Sequence, residues 1–121
     1  MVHVDFARTF EERLETIQEF MLDQDVMTAT DRIEKLSSEI LRFGDLVALH
    51  PKIGRPAGVL AAVSVEGQVR MARVIRLASE AGLPELREYV LYPYLLLYAH
   101  SDTHVLLLSI RHQRELGYSA A

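Results

Sequence analysis

The sequence predicts an α+β fold, and three observations carry that reading. Ala29, Ile33, Leu36, Ile40, Phe43 and Val47 step by 4, 3, 4, 3 and 4 residues, an unbroken apolar stripe on a helix of about 26–49. The last third of the chain changes period: residues 86–91, 94–100 and 105–112 are rich in Tyr, Val and Leu and read as strands. Helical patterns therefore come first and strand patterns last, the order of an α+β domain rather than of alternating βα units. A length of 121 residues, half of them apolar, suits a single domain over 1–121.

Each element follows from local chemistry. Val2, Val4 and Phe6 alternate with His3 and Asp5, a short N-terminal strand. Thr9-Phe10-Glu11-Glu12 has capping-box spacing, with the Thr9 oxygen accepting from the third amide and Glu12 reaching back. Phe10, Leu14, Ile17 and Met21 then mark a first helix at about 10–22. The polar break Asp23-Gln24-Asp25 joins it to the 26–49 helix as an antiparallel hairpin. Pro51 ends that helix, and residues 50–56 form a loop with prolines near both ends.

Residues 64–82 read as a further helix. Arg70, Arg73 and Arg76 lie opposite its apolar side, and Gly82 and Pro84 stop it. The turns Tyr92-Pro93 and Ser101-Asp102-Thr103 link the last three strands into an antiparallel meander. The helical hairpin is expected to cover one face of this sheet, with the other face open. Strict alternation puts Leu106, Leu108, Ile110 and His112 on one face of the final strand, and Val105, Leu107, Ser109 and Arg111 on the other. Arg111 and His112 then cannot share a face.

Composition narrows the function. The net charge of −4 is uneven: residues 1–48 hold five Lys/Arg against eleven Asp/Glu, and residues 49–121 hold eight against six. Anion-binding surface is therefore expected in the second half. Tight binding of nucleic acid usually needs a larger basic excess. With no cysteine there is no disulfide and no thiolate metal site, which fits the cytoplasm. No apolar run reaches the ~20 residues needed to span a membrane, and the N-terminus lacks a signal-peptide pattern. His50, His100 and His104 show no metal-ligand spacing, so neither metal nor cofactor is expected.

Pro51-Lys52-Ile53-Gly54-Arg55-Pro56, Leu86-Arg87-Glu88-Tyr89-Val90, Tyr94-Leu95-Leu96-Leu97-Tyr98 and Leu107-Leu108-Ser109-Ile110-Arg111-His112-Gln113-Arg114 together resemble the RelE/ParE toxin superfamily of type II toxin–antitoxin systems. The resemblance spans nearly the whole chain. Some members are labelled plasmid-stabilisation proteins. It implies a small bacterial toxin of the cytoplasm, neutralised by a cognate antitoxin that adds a helix or strand. A homodimer is left open. RelE-like members cut mRNA on the ribosome without a metal, whereas ParE-like members poison DNA gyrase. The segment at 64–82 is longer than the superfamily pattern leads one to expect. The acidic pI of about 5.7 favours the ParE-like side, because RNA-cutting members tend to be basic.

Under the nuclease alternative, the resemblance makes Arg87 a phosphate-binding group and Tyr118 a base-stacking or proton-transfer residue, while Arg111 or Arg114 could supply a second cation. His112 suits proton transfer near neutral pH. Arg55, Arg73, Arg76 and Arg114 are candidates for contact with target or antitoxin. Each has a plain rival: Arg55 fixes its loop, the helical arginines form a solvated face, and the Arg-His-Gln-Arg terminus simply enters solvent. A third alternative is a non-toxic relic that keeps the fold and the antitoxin partner.

Overall fold

The computed structural model describes residues 2–57 and 65–114, and gives the backbone alone for 65–71 and 73. Within it, β1 (His3–Phe6) leads into α1 (Arg8–Gln24) and α2 (Val26–Leu49). A two-residue strand, β2 (Arg55–Pro56), precedes α3 (Val65–Glu80), and β3 (Glu85–Leu91), β4 (Tyr94–His100) and β5 (His104–His112) follow. The five strands form one mixed sheet in the order β1-β5-β4-β3-β2. The expected meander is present as β3-β4-β5, antiparallel throughout. What the sequence did not show is that β1 joins its far edge in parallel with β5, and that β2 extends the other edge.

The helical hairpin closes on a single residue. Asp25 donates its amide to the Met21 carbonyl, ending α1, while its side chain accepts from the Met27 amide and starts α2. The capping box expected at Thr9 does not form. Ala7 is the N-cap of α1, and no side chain caps it. The Thr9 hydroxyl instead donates to the Leu108 carbonyl at 2.6 Å, tying α1 to β5. Glu12 pairs with Arg8 one turn earlier in α1.

Two cores sandwich the sheet. Phe10, Ile17, Met21, Leu36, Ile40, Phe43 and Val47 from the hairpin pack on Leu96, Tyr98, Val105, Leu107 and Ile110. On the opposite face Val74, Ala78 and Leu83 pack on Leu95, Leu97, Ala99 and Leu108. The second face is thus covered by α3, not open as expected, because α3 has its own apolar side to bury. Gly82, at φ +71°, lets the chain reverse after α3: Leu83 donates to the Ala78 carbonyl and Gly82 to that of Ser79.

The alternation expected along β5 breaks at one residue. Leu97 pairs with Ser109 and Tyr98 with Leu107, so Leu108 is an extra residue in a β-bulge. Val105, Leu107 and Ile110 consequently face the hairpin together, and Leu106 and Leu108 face α3. The bulge also decides the orientation of the last two residues of β5. His112 pairs with Tyr94 on the hairpin side, and Arg111 pairs with Leu95 on the α3 side.

Candidate functional site

Sheet pairing sorts the charged residues of the second half into separate places. Arg87 lies opposite Tyr98, on the hairpin face, beside the 50–56 loop. Its Nε–H donates to His100 Nε2 at 3.0 Å and its Nη1 to the Gly54 carbonyl at 2.8 Å, while Nη2 reaches Glu85 at 3.4 Å. The Glu85 carboxylate lies 3.1 Å from the same His100 nitrogen, so Arg87, His100 and Glu85 form one polar cluster beside Gly54. Only 17% of the Arg87 side chain is exposed. Burial pushes the neighbouring Tyr98 phenol above its usual range.

His112 sits at the other end of the sheet. Its ring meets that of Tyr94 edge-on, with centroids 5.7 Å apart. Arg13, Phe20, Arg32, Tyr94, His112 and Arg114 line a groove of about 550 Å³ where α1 and α2 meet the rim of β4 and β5. Tyr98 and Tyr94, the partners of Arg87 and His112, are four residues apart on β4, or about 13 Å. Arg87 and His112 therefore share a face but do not converge, and Arg111 points to the opposite side. Tyr118 lies outside the described residues. Arg87 meets His100 opposite Tyr98 on the hairpin face, and neither Arg111 nor His112 joins them there.

The remaining candidates are scattered. Arg55, opposite Glu88 across β2 and β3, pairs with that buried carboxylate at 2.7 Å, although more than half of its own side chain is exposed. Arg76 is exposed on α3, and the side chain of Arg73 lies outside the description. Arg114 is exposed at the end of β5, its amide donating to His112 Nδ1 at 3.2 Å. Sequence reasoning missed Arg13, Phe20 and Arg32 as partners of this rim. Their clue was only their place on the hairpin, and nothing local says which strand end a helix face will reach.

A mixed sheet with a helical hairpin on one face is an α+β fold consistent with the RelE/ParE toxin superfamily. Within it, this chain belongs to the ParE family. The family model described as "ParE toxin of type II toxin-antitoxin system, parDE" matches residues 4–117. No curated protein matches the chain. Among the described residues, no helix is long and apolar enough to cross a membrane.

Proposed function

We propose that this chain acts in the cytoplasm by poisoning DNA gyrase and is held inactive by a cognate antitoxin. The match to the ParE family model over residues 4–117 carries this reading. Two further observations support it. The protein is acidic, with a pI of about 5.7, unlike a protein that must hold a polyanionic strand. Arg87 is spent on Gly54, Glu85 and His100, far from His112, so these two candidates do not meet at one phosphate.

Arg55, Arg73, Arg76 and Arg114 serve in this reading as contacts to gyrase or antitoxin. Arg114 is the strongest of them. It shares an apolar-floored groove with Arg13 and Arg32, a setting that suits an acidic amphipathic segment of the antitoxin.

The deciding experiment is induced expression without the antitoxin, followed by assays of the purified protein. The gyrase reading expects growth arrest, inhibited supercoiling and trapped cleaved DNA, with translation intact. Cleavage of mRNA in translating ribosomes would replace it with the RelE-like reading, in which Arg87, Arg111, His112 and Tyr118 act. Absence of growth arrest would leave a non-toxic antitoxin-binding relic.

A further inference from the structure

The parallel pairing of β1 with β5 sets His3 beside His104. Side chains two apart on a strand point the same way, so Asp5 joins them on that face. His3 Nε2 lies 3.0 Å from Asp5 Oδ1, and His104 Nε2 lies 2.8 Å from Asp5 Oδ2. The two imidazoles stack, with centroids 5.6 Å apart and planes 30° from parallel. Two imidazole nitrogens and one carboxylate thus converge, with one ligand atom from each residue inside a 4.8 Å span.

We propose that His3, Asp5 and His104 form a binding site for a divalent transition-metal ion of the zinc class. Bonds of about 2.0–2.1 Å in tetrahedral array place donor atoms about 3.4 Å apart. The present spacing needs only small side-chain rotations to reach that array. Exposure permits them: 73% of the His3 side chain, 49% of Asp5 and 30% of His104 face solvent. Two nitrogens and one oxygen favour zinc, cobalt or nickel over calcium or magnesium, which take oxygen donors. Remaining coordination positions open to water.

The consequence is mechanical. His3 and Asp5 lie on an edge strand, and His104 lies on the strand that β1 pairs with. A bound ion would staple this edge to the sheet, on the face opposite the Arg87 cluster.

The test is calorimetric titration of the full, tag-free chain with zinc chloride, together with the visible spectrum of the cobalt(II) form. The expected result is one ion per chain, a raised unfolding temperature and cobalt bands of tetrahedral or five-coordinate intensity. His104→Ala and His3→Gln should each weaken binding by at least an order of magnitude, while His50→Ala leaves it unchanged. His3→Gln alters an exposed side chain, so it keeps the test valid if His104→Ala fails to fold. No saturable binding, or binding that survives both variants, overturns the site and leaves a hydrogen-bonded His-Asp-His triad.

Discussion

The Tyr98 hydroxyl accepts the Gly54 amide proton at 2.9 Å and presses against the position where a side chain on residue 54 would begin. A Cβ there would come within 2.8 Å of that oxygen and 2.7 Å of the Glu88 carbonyl. Backbone cannot yield as a flexible side chain can. Gly54→Ala should therefore destabilise the fold by about 1–3 kcal/mol. Urea unfolding followed by circular dichroism would measure it, and an unchanged midpoint would show that the loop can move away.

Tyr98 also donates to the Pro51 carbonyl at 2.7 Å, so one buried phenol ties the 50–56 loop to the sheet. Its burial raises the phenol pKa above 10.0, which gives stability a pH dependence of known sign. Above about pH 10 the unfolded chain releases the Tyr98 proton while the folded chain keeps it, so stability falls as pH rises through the folded value. Tyr98→Phe should cost about 1–3 kcal/mol at neutral pH, because it leaves the Gly54 amide and the Pro51 carbonyl unmatched. It should also lose less stability than the parent between about pH 9 and pH 11. Equal losses in the two proteins would disprove the assignment.

Arg87 contributes to stability whatever its part in toxicity. Arg87→Ala strips partners from His100, Gly54 and Glu85, at a cost of about 2–3 kcal/mol. Arg87→Lys should recover little of this, since a single ammonium cannot span three acceptors as a guanidinium does. His112→Ala, at the half-buried rim, should cost less than Arg87→Ala in the same thermal scan. A loss of toxicity in Arg87→Ala is therefore evidence about the target only once folding has been checked.

Thr9 and Glu12 separate two explanations of the same motif. In a capping box, loss of either residue weakens the start of α1. In the structure Thr9 holds the Leu108 carbonyl and the Glu12 side chain pairs with the exposed Arg8. Thr9→Ala should then cost about 1 kcal/mol and Thr9→Ser much less. Glu12→Ala should cost no more than about 0.5 kcal/mol. Comparable losses at both positions, read from denaturant midpoints, would restore the capping box.

Several elements were legible because local periodicity reports which residues share a face. The 4-3-4 stripe places α2 at Val26–Leu49, and the Tyr-Pro turn places β4 at Tyr94–His100, both as expected. The alternation in β3 likewise puts Arg87 and Tyr89 on one face and Glu88 on the other, as the pairing with β4 requires. The candidate site was less legible. The resemblance singles out Arg87, but its partners His100 and Gly54 lie 13 and 33 residues away.

By itself the sequence determined the class of fold, the order of the elements and the family, since these rest on short-range pattern and on motifs quoted along one strand at a time. Only the tertiary structure decided which strands pair with the two edges of the meander. The pairing of β1 with β5 joins residues about a hundred positions apart and brings His3 and Asp5 to His104. The bulge at Leu108 breaks the period of two, so Leu107 and Ile110 face the same core and His112 turns to the hairpin while Arg111 turns to α3. A periodic pattern carries a side chain's direction only while the ladder stays regular, and that regularity is set by the partner strand.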